Sequence, residues 1–269
     1  MKKTFAFIGT GNMAYAIIGG LTATDSPLAI APENITLFDV NTAQYDKFSG
    51  GFVFAKNICE AVENADIMVL AVKPQNYPDV LAEISGTNLD GKIIITIAAG
   101  ISTEYICSKI GKCAVVRAMP NTPLLVGKGV TALCSNSMVS EADFNFVEKV
   151  FSSRGMTLRL DEADMNKICA VTGSSPAYIF LMIKAICDGA KAQGIKSDDI
   201  YTAVCNMVIG SATLALSSDK SPEELIRMVC SPKGTTEQAM RVFAENNLEQ
   251  TVIDAMDACT KRADELALK

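Results

Sequence analysis

The stretch "TFAFIGTGNMAYAIIGGL", Thr4 to Leu21, decides how the chain is read. Thr4–Ile8 is a compact apolar run of strand length, and an apolar-faced helix follows through Leu21. Between them, Gly9-Thr10-Gly11-Asn12-Met13-Ala14 matches G-x-G-x-x-G/A. After a strand and before a helix, the first glycine permits a tight turn and the second admits a pyrophosphate to the backbone. The small third residue, Ala14, lets the helix lie against the strand. Alone, the pattern is also an ordinary glycine turn, so its surroundings must decide.

Working outward, short strands alternate with helices. "ITLF", "GFVF", "DIMVLAV", "KIIITI", "CAVVRAM" and "GVTALC" read as strands, with helices near Thr42–Ser49 and over "ICEAVENA". Continuous apolar runs suit a parallel sheet covered on both faces, which predicts a doubly wound α/β domain ending near Leu160. Asp39 closes the second strand, where a carboxylate accepts from ribose hydroxyls and repels a 2′-phosphate; it also suits an ordinary turn. "LAVKP" (Leu70–Pro74), "TIAAG" (Thr96–Gly100) and "RAMPNTP" (Arg117–Pro123) close later strands, where ligands of such sheets lie. Ala71, Ala98, Ala99 and Gly100 are small enough to leave room for ribose and nicotinamide, and Asn121 can bond a carboxamide or backbone.

From Asp161 onward helical periodicity dominates, predicting four or five helices. Ser175, Ser197 and Ser221 are candidate N-caps. "AYIFLMIKAICDGA" and "YTAVCNMVIGSATLALS" are apolar over more than one face, so they belong inside a bundle or under another subunit. An intertwined homodimer is the expectation.

The chain's 269 residues are 49% hydrophobic and 20% charged, with a net charge of −6, which argues against a nucleic-acid or anionic-membrane partner. The opening apolar run is too short for a signal peptide, and "IIITIAAGI", the nearest approach to a membrane span, is broken by Thr and Gly. A soluble, cytoplasmic protein is expected. Nine cysteines without a C-x-x-C pair read as reduced thiols. The absence of histidine removes Ser-His-Asp triads, Cys-His dyads and HExxH zinc sites, and no metal is expected.

"VCSPKGTTEQAM", Val229–Met240, interrupts two helix-forming segments. Thr235 with Gln238 has the spacing of a capping box. A new helix start also offers N–H groups and partial positive charge to an anion. The two readings are compatible.

In order and spacing, "FIGTGNM", "LAVKP", "AAG", "RAMPNTP", "TGSSPAYIF" and "VCSPKGTTEQA" make the chain resemble pyrroline-5-carboxylate reductase from end to end. The resemblance implies an N-terminal Rossmann-type domain (1–160) and a C-terminal all-helical substrate-binding and dimerisation domain (161–269). It implies interlocked dimers, often gathered into decamers. The implied reaction is reduction of the cyclic imine 1-pyrroline-5-carboxylate to L-proline by NADPH or NADH, the last step of proline biosynthesis. Thr236 and Ser231 are then the catalytic candidates, with the proton coming from Thr236 or solvent. Gly234, Thr235, Thr236, Ser174 and Ser175 would hold the substrate. Gly9, Gly11, Asn12, Met13, Asp39, Asn41, Asn57, Ala71, Val72, Lys73, Pro74, Ala98, Ala99, Gly100, Asn121 and Glu162 would serve the cofactor. Two departures stand out: Lys233 where the family usually has glycine, and Asp39-Val40-Asn41, which leans towards NADH. A related reductase of β-hydroxy acids is disfavoured because "CAVTGSSPAYIF" lacks its glycine pattern and lysine. A dinucleotide sensor without turnover would not need "SPKGTT".

Overall fold

The computed structural model describes residues 3–267. Eight strands form one sheet: β1 (Phe5–Ile8), β2 (Ile35–Phe38), β3 (Val53–Phe54), β4 (Ile67–Leu70), β5 (Ile93–Thr96), β6 (Ala114–Met119), β7 (Gly129–Ser135) and β8 (Gly155–Arg159). Their order is β3-β2-β1-β4-β5-β6-β7-β8. The chain leaves β1 towards β2 on one side and returns to β4 on the other, which opens a crevice at the carboxyl ends of β1 and β4. The helices are α1 (Asn12–Thr22), α2 (Ile58–Glu63), α3 (Tyr77–Ile84), α4 (Thr103–Ile110), α5 (Glu141–Ser152), α6 (Met165–Ile168), α7 (Ser175–Ala192), α8 (Ile200–Ser217), α9 (Pro222–Val229), α10 (Thr235–Glu245) and α11 (Leu248–Ala267).

Alternating strand residues feed two cores. Phe5, Phe7, Val69 and Ile95 pack under α1 and α5 residues such as Ile17, Leu21 and Phe151. Ala6, Ile8, Met68 and Ile94 face Val62, Leu81, Ile84 and Ile106 of α2, α3 and α4. This is why the strands are apolar throughout: both faces are covered, and each fully buried large side chain contributes about 1.5–3 kcal/mol. The doubly wound expectation holds. Among the described strands, β6 and β7 alone pair antiparallel. A single 3₁₀ turn, Thr122–Val126, joins them and is too short for a crossover. The helix expected over Thr42–Ser49 is a 3₁₀ turn, Thr42–Lys47.

The chain divides into two compact units, Met1–Ser174 with Cys259–Lys269, and Ser175–Ala258. The division falls later than Leu160 because Met165 and Ala170 are buried beyond the last strand, Met165 against Met119, Ala132 and Cys134.

In the helical unit only Ile183 and Val204 are buried. Phe180, Tyr201, Ile209 and Leu216 are 61–90% exposed. Such helices cannot form a dry core by themselves. Two helical stretches, Glu162–Ala192 and Ile200–Ser217, are also long and apolar enough to cross a membrane by length and composition. This corrects the expectation that no stretch approaches a membrane span: continuous helix through "TGSSP" makes the first, and the second is the uncharged run "YTAVCNMVIGSATLALS", apolar over more than one face. Of the expected caps, Ser221 closes a full capping box with Glu224. Ser175 is the first residue of α7, which follows almost directly on a π-helical turn, Cys169–Gly173. Ser197 bonds the Asp199 N–H in a local turn, and α8 begins after Asp199.

Candidate active site

At the carboxyl end of β1, Gly9 has φ +92°, and a Cβ there would stand 2.8 Å from the Ala71 carbonyl carbon and oxygen. Its N–H donates to the Phe38 carbonyl at 2.8 Å. Gly9 therefore permits the turn and the close approach of β1 to β4. Gly11 differs. It caps α1 with φ −68° and no side-chain hydrogen bond, and a Cβ on it would meet nothing within 4 Å. The N-terminus of α1 thus faces open space, as an anion site requires.

That space belongs to a cleft of about 660 Å³, whose walls include Gly9, Gly11, Phe38–Asn41, Gln44, Ala71, Val72 and Lys73. Asp39 stands in it. One carboxylate oxygen accepts from the Thr10 N–H at 2.7 Å and the Thr10 hydroxyl at 3.0 Å; the other accepts from the Asn41 N–H at 2.9 Å. The Tyr45 hydroxyl accepts from the Asp39 N–H at 2.9 Å and donates to its carbonyl at 3.2 Å. Asp39 is thus held rigidly and itself shapes the glycine loop. Asp79 and Glu83 also line the cleft, and Lys73 is the one cation there among the described residues. The balance is negative, which suits a ribose diol and opposes a second phosphate.

Asn41 caps the following 3₁₀ turn through the Ala43 N–H, and Asn12 accepts a 3.4 Å bond from Lys47. Met13 packs against the core, and Pro74 opens a 3₁₀ turn beside the cleft. Asn57 caps α2, accepting from the Glu60 N–H at 2.8 Å.

Beyond the crevice, the fully buried Tyr77 hydroxyl donates to the Leu70 carbonyl at 3.0 Å and lies 2.7 Å from the Thr96 hydroxyl. It ties the ends of β4 and β5 together, and burial pushes the phenol well above its ordinary range. The smallness of the β5 loop has a packing cause. Ala98 is buried, and Ala99 packs against Met119, Ala132, Cys134 and Met165. At Gly100, φ is +77° and a Cβ would stand 3.0 Å from Ala263 O, Ala267 N and Leu266 Cβ at the end of α11. Asn121 spends its side chain internally, accepting from Val130 N–H at 2.9 Å and donating to Thr172 O at 3.0 Å. Both of these bonds are to backbone, one of the two partners expected for it. Glu162 is likewise engaged, by Arg117 at 3.1 Å and by the Thr103 hydroxyl at 2.6 Å. Neither Asn121 nor Glu162 lines the cleft. Sequence reasoning missed Thr10, Tyr45, Tyr77 and Arg117; of these, Arg117 had a sequence signal, a lone charge inside the apolar strand run "CAVVRAM".

The helical unit holds the "SPKGTT" turn. The Gly234 N–H donates to the Ser231 carbonyl at 2.9 Å, and a Cβ on Gly234 would stand 2.3 Å from Ser231 Oγ. Gly234, not Thr235, is the N-cap of α10, because its extended backbone precedes the first helical residue. With no side-chain cap, the first-turn N–H groups of Thr235 and Thr236 are not taken by a capping oxygen. Glu237 instead accepts from the Lys233 N–H at 2.7 Å, holding Lys233 at φ +59°, a conformation that favours glycine. Ser175 begins α7 in this helical unit; in the other unit, the Ser174 hydroxyl lies 3.2 Å from the Cys259 sulfur.

Residues 162–266 match the family model described as pyrroline-5-carboxylate reductase dimerisation, and residues 4–100 match one described as NADP oxidoreductase coenzyme F420-dependent. The chain is 38% identical to the pyrroline-5-carboxylate reductase of Pseudomonas aeruginosa, covering 97% of this chain and 96% of that one. It is 36% identical to the Escherichia coli enzyme of the same name, covering 99% of each. The solved pyrroline carboxylate reductase of Plasmodium falciparum with NADP bound matches with a TM-score of 0.91 at 28% identity, over 99% of both chains.

Proposed function

The chain belongs to the pyrroline-5-carboxylate reductase family, and on that premise we propose how its own residues serve the reaction. It reduces 1-pyrroline-5-carboxylate to L-proline. A hydride adds to the imine carbon and a proton to the ring nitrogen. Bound at the glycine loop, the reduced nicotinamide dinucleotide supplies the hydride.

The fit to that cofactor is carried by Gly9 and Gly11, one glycine closing the turn and the other leaving the α1 N-terminus open. Asp39 accepts from the adenosine ribose hydroxyls and, with Asp79 and Glu83, disfavours a 2′-phosphate, so NADH is preferred to NADPH. The N–H groups of Thr235 and Thr236 receive the substrate carboxylate at the start of α10, where the helix dipole favours negative charge. Gly234 keeps the backbone accessible, and Ser231 braces it from within the turn. Thr236 orients the ring and its hydroxyl relays the proton. An iminium accepts hydride better than a neutral imine, so protonation accompanies or precedes transfer.

The protein is a homo-oligomer, and we assign its interface to the exposed apolar faces of α7 and α8, covered by a second copy rather than by lipid. Assembly beyond the dimer, to a decamer, would be read from the mass in solution. All nine cysteines are free, which supports a reducing, cytoplasmic setting. The testing experiment measures kcat/KM for 1-pyrroline-5-carboxylate with NADH and with NADPH, in the natural protein, Asp39→Ser and Thr236→Ala. The expected result is a higher value with NADH, a ratio that reverses towards NADPH in Asp39→Ser, and a lowered kcat in folded Thr236→Ala. A natural preference for NADPH, or full activity in Thr236→Ala, would refute the respective assignment.

A further inference from the structure

Arg117 is a costly residue where it stands. It lies on β6 opposite Thr96 of β5 and is 2% exposed. Removing a guanidinium from water costs free energy that a buried ion pair barely recovers, so stability alone does not account for it; such a pair does fix geometry. Its Nη1 donates to Glu162 Oε1 at 3.1 Å, its Nη2 to Asn166 Oδ1, and its Nε is buried without a partner. Glu162 also accepts from the Thr103 N–H at 3.2 Å and, on its other oxygen, from the Thr103 hydroxyl at 2.6 Å. Thr103 is the first residue of α4, where the loop leaving β5 ends. On the loop's other flank, Gly100 lies against Ala263 and Ala267 of α11. Asn166 donates to Asp264 of that same helix at 2.8 Å. One buried cation therefore holds both flanks of the β5–α4 loop, through two partners.

Dinucleotide-binding sheets place one mononucleotide over each half. Here the cleft beside Asp39 serves the adenosine half, and the β5 loop stands at the carboxyl end of the other. We propose that Arg117 is a positioning residue for the nicotinamide end of the cofactor, acting through Glu162 and Thr103 on the β5–α4 loop. The proposal rests on the reductase reading above.

The test compares affinity for NADH with affinity for ADP-ribose, which fills the adenosine half and lacks the nicotinamide. Thr103→Val removes one donor to Glu162 while keeping side-chain shape, and Arg117→Lys keeps the charge but cannot reach both partners in a fork. Thermal unfolding confirms that each variant is folded; if Arg117→Lys is not, Thr103→Val decides. NADH binding is expected to weaken about tenfold, the scale of one charge-assisted hydrogen bond, with ADP-ribose binding unchanged. Equal weakening of both ligands would make the network a general scaffold and overturn the proposal, as would no change in either. A natural protein that binds neither ligand would instead refute the dinucleotide reading itself, and this inference with it.

Discussion

Gly9 and Gly11 stand two residues apart in one loop, and alanine at each is expected to fail differently. At Gly9 an added methyl would stand 2.8 Å from the Ala71 carbonyl group and 3.1 Å from Val72, on a backbone at φ +92°. The left-handed conformation costs an L-residue about 1–2 kcal/mol. Overpacking against backbone adds about 1–3 kcal/mol. The sum, about 2–5 kcal/mol, is a large part of a typical stability of about 5–15 kcal/mol. At about 2–4 °C per kcal/mol for a chain of this class, Tm should fall by roughly 10 °C. At Gly11, φ is −68° and a methyl would meet nothing within 4 Å, so Tm should hold to within about 2 °C. That methyl would instead occupy the space into which a pyrophosphate must come, and NADH affinity should drop by tenfold or more, about 1.4 kcal/mol. The assay is thermal unfolding at fixed protein concentration, since an oligomer's Tm depends on it, paired with fluorescence titration by NADH. Gly11→Ala binding NADH like the natural protein would refute the placement of the pyrophosphate. Gly9→Ala melting like the natural protein would refute the close-approach argument.

Three further outcomes are expected. Tyr77→Phe removes one bond each from the Leu70 carbonyl and the Thr96 hydroxyl, which keep the Ile97 and Ala98 N–H groups, and should cost about 0.5–1.5 kcal/mol, read as a lower midpoint in urea at unchanged slope. Gly234→Ala drives a methyl to 2.3 Å from Ser231 Oγ, so KM for the imine carboxylate should rise while NADH affinity stays constant. Asp66 pays desolvation on burial, but its bonds from the Thr4 N–H and hydroxyl, aided by Lys3 and Lys92, outweigh that and hold it below its ordinary pKa of 3.8. A depressed carboxylate contributes stability that is present above 3.8 and lost as pH falls through its lower folded value. Asp66→Asn should therefore flatten the stability–pH curve below 3.8 and lower the plateau above it; unchanged acid unfolding would refute this.

The alternating half of the fold is legible because its strands need both faces dry: "FAFI", "IMVL" and "IIIT" could be little else once Gly9 and Gly11 follow the first. The reversal of β7 is not legible in its apolar run, which suits either direction; the short turn before it decides. The helix start at "KGTT" is legible to within one residue, since Gly234 and Thr235 are both acceptable caps and only the backbone at Gly234 settles which. Asp39 is legible as a strand-end carboxylate, but its three bonds to Thr10 and Asn41 are not. Arg117 and Glu162 are 45 residues apart and pair only because β6 and the segment after β8 meet in the fold. Ala98, Ala99 and Gly100 have the right composition for a cofactor's neighbourhood, yet their size answers to helix and sheet packing as well.

The most direct measurement is the fate of a label. Purified protein is given 1-pyrroline-5-carboxylate and NADH carrying deuterium at the nicotinamide C4 position on the transferred face, and the product is analysed by mass spectrometry. The account predicts L-proline with one deuterium on the former imine carbon, formed in step with NADH consumed. Unlabelled product, or no proline from folded protein that binds NADH, would contradict it.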